Sequence, residues 1–69
     1  MPYTIIFEKG PTSWGAYAPD LPGCGVAAET KEEAEKLIKE AITFLIEGLQ
    51  KSGESPPEPA YFAQVISIG

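Results

Sequence analysis

The 69-residue sequence contains no histidine and only one cysteine, Cys24. Without histidine it lacks the commonest general base near neutral pH and the usual partner of a nucleophilic serine or cysteine. A single cysteine excludes an internal disulfide, and without a second thiol or an imidazole a zinc site is not expected. We therefore predict that the protein is not an enzyme and uses no metal or other cofactor. Cys24 is predicted to be a small buried hydrophobic residue.

Basic residues and long apolar runs are also scarce. The chain has five lysine and arginine residues against ten acidic ones, a net charge of −5 and a sequence pI near 4.4. A negative surface repels phosphate backbones and attracts basic proteins, so autonomous nucleic-acid binding is not expected. No apolar run approaches the ~20 residues needed to cross a bilayer, and the N-terminus has no signal-peptide pattern. We therefore expect a cytoplasmic protein that does not associate with membranes.

The length of the chain allows one small domain, residues 1–69. At this size a single hydrophobic core seldom supplies more than ~3–5 kcal/mol of stability without further support. Because the sequence predicts neither a disulfide nor a structural metal, oligomerisation is the remaining common source of that support. A homo-oligomer, either a dimer or a tetramer, is therefore expected.

Four segments have the composition of β-strands. Residues 3–8 are β-branched and aromatic, and turn-forming residues at 9–12 join them to a second strand at 13–18, which predicts a hairpin. Residues 24–28 are small and compatible with a third strand. A last strand is predicted at residues 61–68.

One helix is predicted between the third strand and the last. Thr30 followed by Glu33 is a capping box, in which each side chain can satisfy a free backbone N–H at the helix start. The apolar residues that follow cover an arc wider than the ~100° stripe a surface helix needs, so the helix is expected to contact two surfaces. On this arc Phe44, Ile46 and Leu49 are the candidate oligomer-interface residues. Gly48 within the arc indicates either close approach of another backbone or fraying, and both remain open.

The predicted order is β-β-β-α-β, an α+β fold with a small mixed or antiparallel sheet and one helix on one face. A proline-rich connector at 56–59 would return the last strand to the side of the first. This topology resembles a partial ribonuclease H-like fold. Nucleases of that fold hold two metal ions with carboxylates from the first strand, the helix and the last strand. Here residues 61–69 contain no carboxylate, so the activity is not predicted.

Three local motifs, taken together, resemble the HicB-like antitoxin family. They are the turn Pro-Asp-Leu-Pro-Gly-Cys at 19–24, the helix start Thr-Lys-Glu-Glu-Ala at 30–34, and the proline-rich loop at 56–59. Where the family commonly has Gly-Asp-Thr before the helix, this chain has Ala28-Glu29-Thr30. The resemblance covers nearly the whole chain, and its specificity lies in the combination of motifs.

The resemblance implies a domain that binds HicA, a small basic toxin that resembles double-stranded-RNA-binding domains and cleaves RNA, and inhibits it by occlusion. The acidic balance of the chain suits such a partner. Many relatives carry a C-terminal DNA-binding domain that represses their own operon. This sequence reaches Gly69 directly after the predicted last strand, so no such domain and no operator binding are expected.

Four residues in and before the turn are candidates for partner binding: Trp14, Tyr17, Asp20 and Leu21. Asp20 has two interpretations, since its carboxylate can accept backbone N–H bonds and fix the loop, or can face a basic protein. Trp14 is either a core or oligomer contact, or an exposed anchor for a different protein.

Two further classes of function remain open. The first is a stand-alone oligomeric binding module with no toxin partner, whose apolar helix arc is entirely oligomer interface. The second is an enzyme with a metal held by Glu8, Asp20 or Glu29.

Overall fold

The computed structural model describes residues 3–64, 66 and 67. It contains three strands followed by one helix: β1 (Ile6–Lys9), β2 (Trp14–Tyr17), β3 (Gly25–Ala28) and α1 (Lys31–Lys51). The fold is therefore α+β, with the order β-β-β-α across the described residues. None of the described helices is both long and apolar enough to cross a membrane.

The fourth strand predicted at 61–68 is absent from the described part of that segment. Residues 61–64, 66 and 67 are not in a strand, and Val65 and Ile68 lie outside the described residues. Where the segment begins, side chains rather than a neighbouring strand bind its main chain: Asp20 accepts from the N–H groups of Ala60 and Tyr61, and Thr4 donates to the Tyr61 carbonyl. The partial ribonuclease H-like fold, which needs the last strand beside β1, remains a prediction.

The sheet is antiparallel throughout, in the order β1-β2-β3. Because side chains alternate along a strand, the register places residues in rows on the two faces of the sheet. The rows on the helix side are Phe7–Ala16–Val26 and Lys9–Trp14–Ala28, and those on the other side are Ile6–Tyr17–Gly25 and Glu8–Gly15–Ala27. The second face is not covered by the helix.

The proline-rich turn between β2 and β3 consists of two consecutive β-turns that share Leu21. The Leu21 N–H donates to the Ala18 carbonyl over 3.0 Å, and the Cys24 N–H donates to the Leu21 carbonyl over 3.0 Å. Pro22 and Gly23 are the central residues of the second turn, and the φ of +79° at Gly23 is the left-handed value that a type II turn requires there.

The helix begins at the predicted capping box and ends at a glycine with a left-handed backbone. Thr30 is the N-cap, and its side-chain oxygen accepts from the Glu33 N–H over 3.1 Å. At the other end Gly53 has a φ of +77°, its N–H donates to the Gln50 carbonyl, and the Glu54 N–H donates to the Leu49 carbonyl. This pair of bonds is a Schellman motif, which directs the chain away from the helix axis.

The core lies between the helix, the turn and the helix-facing side of the sheet. Its buried residues are Ala16, Ala18, Leu21, Cys24, Ala34 and Ile38. Leu21 and Ile38 are the largest of them, so the turn supplies one of the two main core side chains. Cys24 is buried as predicted, and burial raises the pKa of its thiol because the low-dielectric surroundings disfavour the thiolate.

Candidate partner-binding surfaces

Asp20 is held at the middle of the turn and contacts a segment far along the chain. Its Oδ1 accepts from the Ala60 N–H over 2.7 Å and its Oδ2 accepts from the Tyr61 N–H over 3.4 Å. These donors lie 40 and 41 residues after Asp20. The carboxylate therefore joins the signature turn to the chain that follows the helix.

Residues at the start of the chain bind the same segment from the other side. The Tyr3 hydroxyl donates to the Pro57 carbonyl, and the Thr4 hydroxyl donates to the Tyr61 carbonyl over 2.6 Å. Together with Asp20, these side chains fix the path of the main chain between Pro57 and Tyr61. Beyond it Phe62 is 86% exposed.

Trp14 and Tyr17 are both in β2 but lie on opposite faces of the sheet. Trp14 is half-buried on the helix side, where it packs against the core and has the Lys9 ammonium 5.9 Å from its ring centroid. Tyr17 is 39% exposed on the open face, next to Ile6 across the strand pair. The structure therefore does not bring these two aromatic residues into one binding surface.

Leu21 is only 1% exposed, so its side chain supports the turn from within. Of the four candidate partner-binding residues, Tyr17 is the one whose side chain stands on an open surface. Small residues surround it: Gly25 is its neighbour on β3, and Gly15 and Ala27 fill the adjacent row. This open sheet face, defined by Ile6, Glu8, Gly15, Tyr17, Gly25 and Ala27, has few large side chains because three of its six residues are glycine or alanine.

The three candidate oligomer-interface residues do not share one side of the helix. At 3.6 residues per turn, Phe44 points about 160° away from Ile46 and about 140° away from Leu49. Phe44 is 80% exposed, whereas Ile46 and Leu49 are half-buried. An interface centred on Phe44 therefore leaves Ile46 on the opposite flank.

A hollow lies beside Phe44, between the helix and the turn. Its volume is ≈230 Å³, and it is lined by Pro22, Gly23, Cys24, Gly25, Ala41, Phe44 and Leu45. Gly48 follows one turn later on this flank, and apart from the adjacent backbone of its own helix no atom lies within 4 Å of the place its Cβ would occupy. Within the described chain, close backbone approach does not explain this glycine.

The described residues contain no group of three or more cysteine, aspartate or glutamate residues arranged to hold a metal ion. Glu8 lies on the open face of β1, Glu29 precedes the helix, and both oxygens of Asp20 face backbone N–H groups.

Sequence reasoning missed the contact between Asp20 and residues 60–61. A signal for it exists in the connector, because Pro56, Pro57 and Pro59 have no N–H to donate. Ala60 and Tyr61 are thus the first two consecutive free donors after the proline run. What the sequence does not show is which acceptor they reach.

These features define a small acidic α+β domain with an open sheet face and a rigid double turn. The family described as "HicB_like antitoxin of bacterial toxin-antitoxin system" matches residues 3–68. The chain therefore belongs to the HicB-like antitoxin family.

Proteins similar to this chain occur in a phage, an archaeon and a cyanobacterium. An uncharacterized 14.9 kDa protein from the rep-hol intergenic region of Haemophilus phage HP1 is 39% identical over 67 residues, which cover 97% of this chain and 50% of the phage protein. A UPF0150 protein of Thermoplasma acidophilum is 43% identical over 58 residues, covering 83% of this chain and 84% of that protein. A UPF0150 protein of Synechocystis is 34% identical over 67 residues, covering 96% and 85%.

The chain thus spans half the length of the phage relative. No solved structure matches it significantly.

Proposed function

We propose that this chain is an antitoxin-type protein-binding domain that binds a small basic toxin of the HicA kind and inhibits it by occlusion, without catalysis of its own. Membership of the antitoxin family supports a toxin as the kind of partner. We further propose that residues 1–69 act as a single domain in the cytoplasm, bind neither operator DNA nor membranes, and use no cofactor.

The observation that carries this proposal is the open sheet face. It presents Tyr17 and Ile6 on a surface that the helix does not cover, in a chain with a net charge of −5. Exposed aromatic side chains are frequent anchors in protein interfaces, and opposite charge accelerates association with a basic partner. Tyr17 is the proposed direct contact.

The other candidate partner-binding residues have supporting roles in this proposal. Leu21 anchors the turn at the end of β2 in the core, and Asp20 joins that turn to the main chain at Ala60, so that the strand and Tyr17 keep their position. Trp14 lies on the helix side of the same strand and packs against the core, which holds β2 in place.

The test is coexpression with each HicA-type toxin encoded in the source genome, followed by measurement of growth and of the dissociation constant of the purified pair. We expect growth rescue by the wild-type chain. Tyr17→Ala is expected to weaken binding about tenfold or more, which corresponds to ~1.4 kcal/mol.

The matched control is Phe44→Ala, which removes an exposed aromatic ring from the helix rather than from the open sheet face and should leave the affinity unchanged. A correctly folded wild-type chain that rescues growth from none of these toxins, and binds none of them, would contradict the proposal.

A second proposal, a homo-oligomer, rests on a different surface. Phe44 protrudes next to a hollow on the same flank of the helix, so two copies related by a two-fold axis can each place Phe44 against the hollow of the other. Gly48 on this flank would permit close approach. If the protein is instead an oligomeric binding module with no toxin partner, the main role of this helix flank would be to form that interface.

Light scattering during size-exclusion chromatography tests the oligomer. We expect the mass of a dimer or tetramer for the wild-type chain and for Tyr17→Ala, and a monomer for Phe44→Ser. A wild-type protein that stays monomeric up to millimolar concentration would exclude this interface. Ile46→Ser, on the opposite flank, distinguishes the Phe44 side from the rest of the arc.

A further inference from the structure

We propose that Asp20 is the latch of a detachable strap, defined as residues 54–61, which runs from the helix end to the start of the sheet. The inference is independent of the proposed toxin partner, because it concerns contacts within one chain. It assigns Asp20 a positioning role on a segment distant in sequence.

The strap is fixed at its two ends. At one end the Schellman motif orients Gly53 and Glu54, with the Glu54 N–H donating to the Leu49 carbonyl over 2.9 Å. At the other end the Asp20 carboxylate accepts from Ala60 and Tyr61 over 2.7 and 3.4 Å. Between these ends Pro56, Pro57 and Pro59 keep the chain extended, because proline fixes φ and cannot form a helix interior.

The strap has few other means of attachment. Three of its eight residues are prolines without an N–H, so its backbone cannot form a regular ladder with β1. The hydroxyls of Tyr3 and Thr4 bind two of its carbonyl groups, but Asp20 is the acceptor for its last two N–H groups. Hydrogen bonds to a charged acceptor are about twice as strong as neutral ones, so Asp20 is the strongest attachment.

Under the strap lies an apolar hollow of ≈330 Å³ between the turn and the end of the helix. Leu21, Leu45 and Leu49 line it from the domain side, and Ser55 and Pro57 line it from the strap. Release of the latch would remove one wall of this hollow. Opening of the strap would therefore expose these leucines on that side.

Aspartate suits this position better than asparagine, which has the same shape. The two adjacent N–H groups each meet a different oxygen of the carboxylate, Ala60 at Oδ1 and Tyr61 at Oδ2. Asparagine has one acceptor oxygen, and its NH₂ group would face a backbone donor. The two β-turns hold Asp20 in place, so the carboxylate is positioned before the strap docks.

The test is hydrogen exchange of individual backbone amides by NMR on the full chain. In the wild type, Ala60 and Tyr61 should exchange more slowly than their unprotected rates. With Asp20→Asn, exchange at both amides is expected to accelerate about tenfold, while the amides of Ala34 and Ile38 in the helix keep their rates. The control, Glu58→Gln, removes a charge from the strap itself and should change neither amide.

Ala60→Pro tests the latch from the strap side, because it removes one donor and leaves the turn intact. Tyr61 should then exchange faster, whereas the control Ala63→Pro should not affect it. The latch is refuted if Ala60 and Tyr61 exchange at unprotected rates in the wild type. It is also refuted if Asp20→Asn accelerates exchange equally throughout the protein, because Asp20 would then stabilise the fold through the turn alone.

Discussion

Replacing Gly48 with alanine separates the stability of the single chain from its assembly. Gly48 lies inside the helix, four residues before the C-cap Ser52, and the Ser52 N–H donates to its carbonyl over 3.1 Å. A Cβ at this position would meet no atom within 4 Å other than the adjacent backbone of its own helix. Because alanine is favoured over glycine in a helix interior by up to ~1 kcal/mol, we expect the isolated chain to gain roughly 0.5–1 kcal/mol. For a domain of this size 1 kcal/mol raises Tm by about 4–8 °C.

The assay is urea unfolding at two protein concentrations, a dilute one that favours the monomer and a concentrated one that favours the oligomer. If the flank of Phe44 and Gly48 is an interface, Gly48→Ala should stabilise the dilute protein and weaken the oligomer. If the flank is free, the gain should be equal at both concentrations.

The control is Gly23→Ala, which also introduces one methyl group into open space. Gly23 has a φ of +79°, and no atom lies within 4 Å of the point where the alanine methyl group would stand. The cost of about 1–2 kcal/mol then comes from the left-handed backbone alone. A loss of stability in dilute Gly48→Ala would refute the reasoning, since it would show an intrachain neighbour that the structure does not contain.

Three further predictions concern the core, the helix start and the thiol. Leu21→Ala should cost about 2–5 kcal/mol in urea unfolding, because it empties a site that is 1% exposed, whereas the surface change Leu37→Ala should cost much less. Thr30→Ala should cost about 1 kcal/mol by the same assay, and Thr30→Ser should restore most of it, because serine supplies the same acceptor to the Glu33 N–H. Burial raises the pKa of the Cys24 thiol, so the folded state holds this proton more tightly than the unfolded state. The free energy of unfolding should therefore be fully retained below about pH 8.5, the ordinary thiol pKa, and fall as the pH rises above it. Cys24→Ala should remove this contribution to the pH dependence of unfolding.

The parts of the fold that depend on local chemistry were predictable from the sequence. Pro22 and Gly23 specify the type II turn, Thr30 specifies the helix start, and Gly53 specifies its end. In each case the preferred backbone geometry of one or two residues decides the structure. Trp14 and Ala16 lie together on the core side of β2, as the alternation of side chains along a strand requires of residues two apart.

The parts that depend on distant contacts were not predictable in the same way. The strand-like composition of residues 61–68 does not show which partners their backbone N–H and carbonyl groups will bond. In the structure the Asp20 side chain accepts from the Tyr61 N–H, and the Thr4 hydroxyl donates to the Tyr61 carbonyl. The prediction that Asp20 accepts backbone N–H bonds had the right chemistry. It could not identify donors 40 and 41 residues away.

The candidate interfaces show a related limit. A wide apolar arc groups Phe44 with Ile46, but the arc does not reveal where the sheet and turn end. The structure places Phe44 beyond the edge of the core at 80% exposure and leaves Ile46 half-buried on the other flank. Sequence periodicity therefore gives the width of an apolar surface and not its division between core and partner.

The placement of these surfaces has a consequence for the two proposed roles. Tyr17 lies on the face of the sheet that points away from the helix, whereas Phe44 lies on a helix flank next to the turn. Gly25 borders both surfaces, since it is the β3 neighbour of Tyr17 and also lines the hollow beside Phe44. We propose that an oligomer formed through Phe44 leaves the Tyr17 ring accessible in every copy, so that self-association and toxin binding do not compete. A dimer should then bind one toxin per chain, and Phe44→Ser should change the mass of the complex while leaving its stoichiometry per chain at one. If Phe44→Ser abolishes toxin binding in a folded monomer, the two roles share a surface and the assignment of Tyr17 to the partner is wrong.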